Sequence, residues 1–268
     1  MTAPDAAAPR FTALVLAADR GAGDPVSRAA GVAHKCLAPV AGRAMLDRVV
    51  AALAASPHVG RIAISLRDPA LAGQVAALAP LLESGRVVPL QAAETPSRSV
   101  LKAAAELDQP YPLLVTTADH ALLTTQMVDY FCGKSVTSGA EVTAGLTASQ
   151  VLLSSYPHSR RTYLRFRDER YSGSNLFALL AAGSLKAVEV WLRAEQQRKR
   201  PWRIAAVFGP ALLLGYLLRR YSLDEALDRI SERLGLKIAA VKMPFAEAAI
   251  DVDKPEDLEL AEKILRKG

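Results

Sequence analysis

One lysine and three aspartates stand where an anionic substrate could be held. Lys35 closes a loop of small residues that follows the apolar run "FTALVLAA" (11–18), and Arg28 precedes it in an Arg-x6-Lys spacing. Asp119 ends a second apolar run, "PLLVTTAD" (112–119), and Asp251 and Asp253 sit near the C-terminus in "AIDVDKPEDLELAEKIL". Carboxylate oxygens are the ligands that Mg²⁺ takes, usually one or two of them, with water and phosphate oxygens completing the shell. A chain leaving a parallel strand through small residues turns backbone N–H groups toward the strand ends, where phosphates can be cradled. Lysine and arginine add fixed positive charge.

Each residue also has a plainer reading. A lone lysine is more often solvated than functional. Asp119 could cap the turn that follows it, and Asp251 and Asp253 could be turn residues. Ser97, Arg98 and Ser99 could do no more than open the helix "SVLKAAAEL". His120 reads as structural. The loop after residue 18 is not a P-loop, because no GK[ST] follows, and it lacks the GxGxxG dinucleotide spacing.

These residues need a frame. "FTALVLAA" reads as a buried strand, "RAMLDRVVAALAAS" (43–56) as a helix, "RIAISL" (61–66) as a strand, "PALAGQVAALAPLLES" as a helix and "RVVPLQ" as a strand. "SVLKAAAEL" (99–107) and "PLLVTTAD" continue the alternation, which implies a mostly parallel sheet with helices on both faces. Such sheets bind ligands at the carboxyl ends of their strands, where the strand order reverses, and Asp19 and Asp119 lie at such ends. Further on, "TYLRFRDERYSGSNLFAL" (162–179) reads as a hairpin leading into a helix, and residues 184–200 as an amphipathic helix. "SLDEALDRISERLGL" (222–236) opens with a capping-box pattern at Ser222 and Glu225. "KIAAVKMP" reads as a late strand, with helical spacing from Pro255 onward. The fold class is therefore α/β, a Rossmann-like three-layer sandwich. Residues 1–10 are expected to be a flexible lead-in and 11–268 one domain, with 11–130 as one half and 131–268 as the other.

Composition excludes little. The 268 residues carry a net charge of +6, with 51% hydrophobic and 22% charged residues, ordinary for a globular protein. A basic balance is compatible with nucleic acid, an anionic membrane surface or phosphorylated small molecules. Cys36 and Cys132 have no CxxC spacing and read as buried thiols in a reducing compartment. "MTAPDAAAPRF" shows no signal peptide, so a cytoplasmic location is expected. "IAAVFGPALLLGYLL" (204–218) is uncharged, too short to span a bilayer and interrupted by Gly209-Pro210. It reads as a strand or loop followed by a buried helix. The sharper reading is a peripheral contact with the inner membrane through 202–220, with Trp202 at the interface and Arg203, Arg219 and Arg220 near anionic headgroups.

The stretch "LVLAAD…R-x6-K-CLAPVAGRAML" resembles the signature of nucleotidyltransferases with the glycosyltransferase-A-like fold, which include the MobA-like NTP transferases. Asp19 stands where that family usually has glycine, and extra residues displace Gly21 and Gly23. "ETPSRSVLKAA" (94–104) is similar to the family's base- and ribose-contacting loop, and "LVTTADHALLT" (114–124) to its metal-binding strand end. "YSGSNLFAL" (171–179) is similar to its acceptor-side segment, and the C-terminal "D-x-D-x-P-E-D-L" to its second metal carboxylate. The resemblance spans nearly the whole chain. It implies transfer of an NMP group from an NTP to a small phosphorylated acceptor, with release of pyrophosphate and dependence on Mg²⁺. The halves become an NTP-binding and an acceptor-binding half. Lys35 and Arg28 would be catalytic. Ala17, Ala18, Asp19, Gly21, Ser97, Arg98, Ser99 and Asn175 would hold substrate, and Asp119, Asp251 and Asp253 would hold metal. A glycosyltransferase of the same fold and a non-catalytic, membrane-associated nucleotide-binding protein are the alternatives.

The basic run "SRRTYLRFRDER" (159–170) interleaves Arg160, Arg161, Arg165 and Arg167 with Tyr163 and Phe166. Asp168 and Glu169 interrupt it and no RNA-binding motif is present, so nucleic acid is not an expected partner. It reads as a site for an acceptor phosphate or for the headgroup phosphate of a lipid precursor, with a solvated face as the plainer alternative.

Overall fold

The computed structural model describes residues 10–19, 23–196 and 209–267. In chain order the elements are β1 (Phe11–Leu16), α1 (Pro25–Ala30), the short hairpin of β2 (Pro39–Val40) and β3 (Arg43–Ala44), α2 (Met45–Ala55), β4 (Val59–Leu66), α3 (Ala79–Glu83), β5 (Val87–Gln91), α4 (Pro96–Glu106), β6 (Leu113–Thr117), α5 (Thr125–Thr137) and β7 (Val142–Ala148). There follow α6 (Ser149–Ser155), β8 (Leu164–Arg165), β9 (Arg170–Leu179), α7 (Leu185–Gln196), α8 (Pro210–Leu217), α9 (Leu223–Leu234), β10 (Ile238–Lys242) and α10 (Pro255–Lys267).

β1 is a continuous apolar run because it is covered on both sides, as strands of parallel sheets are. Ala13 and Val15 face a core shared with Leu46, Val49 and Leu53 of α2 and Val128 and Phe131 of α5. Leu14, between them, faces the opposite core with Val100 and Ala103 of α4 and Val188 of α7. The alternation of strand side chains thus builds three layers, helices–sheet–helices.

The eight-stranded sheet runs β10-β7-β9-β6-β1-β4-β5, with β8 on β9. β1 pairs in parallel with both β4 and β6, β4 with β5, and β10 with β7. The connection from β1 to β4 goes one way and β6 returns to the other side. The order therefore reverses between β1 and β6, where such sheets bind ligands. Both halves of the sequence contribute strands to this one sheet.

Three expectations are corrected. Residues 69–84 do not form one helix; they are two 3₁₀ turns, Pro69–Gln74 and Ala76–Leu78, followed by α3. Val75 breaks them with an extended backbone (φ −97°, ψ 92°), so the helical spacing there had no continuous helix behind it. The hairpin at 162–179 does not lead into a helix: its second arm is β9, antiparallel and central between β6 and β7. Its alternating burial over Ser174–Ala178 is that of a strand. The apolar segment at 204–218 does not end in a buried helix. Residues 202–208 lie outside the described residues, and α8 leaves Leu214 and Leu217 exposed.

The capping box at Ser222 forms as read: Ser222 N donates to Glu225 Oε2 at 2.7 Å and Glu225 N to Ser222 Oγ at 3.2 Å. Ser222→Ala should lower stability in urea titration by about 1 kcal/mol, the usual worth of an N-cap.

Candidate active site

The loop after β1 turns on a buried acid. Asp19, its side chain 4% exposed, accepts the backbone N–H of Lys35 on Oδ2 at 2.6 Å, and His34 Nδ1 lies 3.4 Å from Oδ1. A carboxylate here pins the return of the loop beside the end of β1. The residue that departs from the family's glycine is therefore a positioning residue for Lys35. Ala17 N continues the sheet by donating to Ser65 O at 2.9 Å.

So placed, the Lys35 ammonium reaches across the strand ends and donates to Asp119 Oδ2 at 2.7 Å and to Asp253 Oδ1 at 2.6 Å. Burial disfavours its charge, but the two carboxylates outweigh that and hold its pKa above the ordinary lysine value. For Asp253, burial works upward, yet the bond from Lys35 prevails and the pKa lies below the ordinary carboxylate value. Asp119 Oδ1 is buried and has no hydrogen-bond partner among the described residues. The Asp119 carbonyl accepts Val252 N at 3.0 Å, which seats the 251–253 strip against the end of β6.

Asp251 is tied from the other side. Arg161, its side chain 9% exposed, donates from Nη1 to Asp251 Oδ1 and from Nη2 to Asp257 Oδ1 at 2.8 Å. Asn175 Nδ2 donates to Asp251 Oδ2 at 3.3 Å. The backbone of β9 makes this reach possible. Asn175 has φ 47°, a left-handed conformation that Asn tolerates better than most residues. The bulge it forms lies opposite Gly145, where a Cβ would meet that of Leu176 at 3.2 Å. Burial, then the Asp253 charge, raises the pKa of Asp251 despite Arg161. Asp257, at the start of α10, accepts Asp253 N at 3.2 Å and Lys254 N at 3.0 Å on Oδ2.

Two cavities meet at this cluster. One, of about 900 Å³, runs from Lys35, Asp19 and Asp119 to Ala93, Thr95 and Ser99 beyond β5. The other, of about 1030 Å³, is lined by Arg160, Arg161, Asn175 and Asp251. Asp253 and Lys254 line both. Two substrates held there would meet over the carboxylates. The donors are hard oxygens, the kind Mg²⁺ takes, and the unpartnered Asp119 Oδ1 is one of them. Among the described residues no three His, Cys, Asp or Glu groups close on a point, so an ion here would need substrate or water oxygens as well.

The model of the MobA-like NTP transferase domain matches residues 13–237. This chain belongs to that family. It is a nucleotidyltransferase, and the carboxylate–lysine cluster lies at the strand ends, where sheets of this kind bind ligands. Among solved structures it is similar to a hypothetical transferase from Thermus thermophilus, with TM-score 0.75 and 29% identity over 93% of this chain and 99% of that one. It shares its fold with 4-diphosphocytidyl-2C-methyl-D-erythritol synthase from Anaerococcus prevotii, with TM-score 0.59 and 13% identity over 96% and 99% of the two chains. It also shares it with CMP:2-keto-3-deoxy-manno-octonic acid synthetase complexed with CTP, with TM-score 0.55 and 11% identity over 96% and 99%. No curated protein sequence matches the chain.

Not all the residues singled out by the family pattern come together. Ala17, Ala18, Asp19 and Ser99 line the first cavity with Lys35. Arg28 is exposed on α1, donates to Gly23 O at 2.9 Å and lines neither cavity. Gly21 lies outside the described residues. Ser97 is buried and donates to Glu195 Oε2 at 2.9 Å, while Arg98 is half-exposed and pairs with Glu94 at 3.8 Å. Ser99 Oγ accepts Ala93 N at 3.0 Å and holds the loop before α4. Asn175 lines the second cavity rather than the first. His120 is buried, and burial lowers its pKa to about 4, so it stays neutral. Cys36 and Cys132 are buried free thiols, each pushed up to about 12 by burial first and then by a nearby aspartate.

Sequence reasoning missed Glu195 in the first cavity and the parts of Asp257 and Lys254. For Asp257 a signal existed: Pro255 at the first position of a helix with an acid two residues on is a helix-start pattern. Glu195, on an amphipathic helix far along the chain, gave none.

Proposed function

We propose that the enzyme transfers an NMP group from an NTP to a small phosphorylated acceptor and releases pyrophosphate, with dependence on Mg²⁺. The observation that carries this is the joining of Lys35 and Asp119, which line the first cavity, to Asp253, which lines both cavities. The first takes the NTP, with its phosphates at Lys35 and its base toward Ala93–Ser99. The second takes the acceptor, its phosphate met by Arg160 and Lys254. An acceptor phosphate oxygen attacks the α-phosphorus, the bond from that phosphorus to the bridging oxygen breaks, and pyrophosphate leaves with the electron pair. No general base is required, because the acceptor phosphate is already ionised.

Asp119 and Asp253 would hold Mg²⁺, with Asp251 beside them, and the ion would neutralise phosphate charge. Lys35, held protonated, then turns its ammonium toward the triphosphate. Arg161 keeps Asp251 and Asp257 in place, so that the strip carrying Asp253 does not shift. The arginine-lined cavity suits a lipid-headgroup precursor as acceptor, and the exposed α8 beside it suits an enzyme working in the cytoplasm at the inner membrane. Among the described residues no helix is long and apolar enough to cross a membrane.

The test is a thermal-shift panel of the four NTPs with and without Mg²⁺, followed by pyrophosphate release with phosphorylated acceptors. A ligand selective for the native state raises its melting temperature by mass action. The expected result is a Mg²⁺-dependent shift for one NTP and acceptor-dependent release of pyrophosphate. A shift with NDP-sugars and none with any NTP would reject the proposal in favour of a glycosyltransferase.

A further inference from the structure

α8 carries an apolar face that nothing among the described residues covers. Its eight residues, PALLLGYL, include no charge. Pro210, Ala211, Leu214 and Leu217 are exposed at helical spacing, and Leu218 follows them. Leu214 is 58% exposed, Leu217 66% and Leu218 54%. The other side of the helix is anchored. Gly215 is buried so close to Tyr221 that a Cβ would lie 2.1 Å from its ring. Tyr216 packs edge-on against Phe166, with centroids 5.5 Å apart, and its hydroxyl accepts Arg165 N at 3.3 Å. The leucines are thus held outward on the β8 hairpin.

Arginines surround them. Arg160, Arg165, Arg219 and Arg220 are exposed, and among the described residues none of the four is in an ion pair. Nearby acids are already engaged: Glu225 pairs with Arg167 at 2.9 Å, and Asp168 accepts Leu223 N at 3.1 Å and Tyr171 Oη at 3.2 Å. The patch is therefore apolar at its centre and positive at its edge. A second copy of this chain docking by two-fold symmetry would bring like-charged edges together. An anionic bilayer offers hydrocarbon to the leucines and phosphates to the arginines at neighbouring depths.

The patch is continuous with the second cavity. Leu164 is 45% exposed and lines that cavity, as does Arg160. We propose that the face formed by α8 and β8 docks on anionic lipid bilayers and sets the mouth of the acceptor cavity at headgroup level. This rests on reading the cavity as the acceptor site, while the docking face itself can be tested apart from catalysis.

The experiment is co-sedimentation with vesicles of phosphatidylcholine alone and of phosphatidylcholine mixed with phosphatidylglycerol. The full chain should bind the mixed vesicles and not the neutral ones, and binding should weaken with salt. Replacing Leu214, Leu217 and Leu218 together by serine should cut binding by about tenfold or more. Arg219→Glu with Arg220→Glu, two exposed changes that leave the core alone, should cut it by roughly fivefold or more per arginine. Nucleotide-induced thermal shifts, measured without vesicles, should be the same in these variants as in the wild type. The proposal is overturned if the wild type stays in the supernatant with both vesicle types, or if both variants sediment like it. It is also overturned if the wild type is a dimer in solution that the serine variant converts to a monomer. Vesicle binding without any NTP response would instead reject the transferase reading and leave the docking face standing.

Discussion

Lys35→Met should lower kcat/KM for nucleotidyl transfer by about 10²–10⁴-fold, the scale of removing a fixed charge aimed at a transition-state anion. The same substitution should make stability depend on pH in an unusual direction. In the wild type the raised pKa of Lys35 means its contribution is complete below the unfolded lysine value and is lost only as pH rises through the folded one. The lowered pKa of Asp253 means its contribution is present above the unfolded carboxylate value and lost as pH falls through the folded one. In the variant, Asp253 loses the bond from Lys35 that held its pKa down. Burial then leads and its folded pKa rises, so the folded state binds more protons than the wild type does and loses stability relative to it as pH rises. At pH 7 we expect a loss of ~1–3 kcal/mol, less than for a deeply buried pair because the Asp253 side chain is 57% exposed. Urea titrations at pH 7 and pH 5 should show the gap to wild type narrowing at the lower pH. A gap that does not change with pH would sink this account of the cluster. Mg²⁺ should also raise the melting temperature of the variant more than that of the wild type, because it supplies the missing charge.

Asp119→Asn should cost about 10²–10⁴-fold in turnover and should abolish the Mg²⁺-dependent part of the NTP thermal shift. The change preserves shape. The Asp119 carbonyl still accepts Val252 N, the amide oxygen can still accept from Lys35, and Asp253 still pairs with it. Stability without nucleotide should therefore move by no more than about 1 kcal/mol. What disappears is the carboxylate whose buried Oδ1 has no hydrogen-bond partner among the described residues. Single-turnover measurement of pyrophosphate release reads the chemical step directly. Activity within about twofold of wild type would remove Asp119 from the metal site and leave its role as a lysine partner.

Some of this was legible without coordinates. β1, β4 and β6 announce themselves because strands buried on both faces must be apolar throughout, and turn residues mark their ends. The placement of Asp19 and Asp119 at carboxyl ends follows directly, as does the capping box of α9. These are local properties, decided by residues a few positions apart. The resemblance to the family signature implied one reaction for Asp119, Asp253 and Lys35.

The tertiary structure decided the rest. Lys35 meets Asp119 across 84 residues and Asp253 across 218, and no periodicity encodes such a meeting. It comes from the strand order, which brings the ends of β1 and β6 side by side. Asp19 reads in sequence as a loop residue that holds substrate, yet burial turns it inward to hold Lys35 N. Arg161 reads as one member of a basic run, and only packing separates it from exposed Arg160 and locks it between Asp251 and Asp257. The stretch 162–179 reads in sequence as a hairpin leading into a helix; insertion between β6 and β7 makes its second arm a bulged strand. The sequence determines which residues have the chemistry, because that is a matter of side-chain type and local spacing. Which of them share one site depends on burial and long-range pairing, and those exist only once the chain has closed on itself.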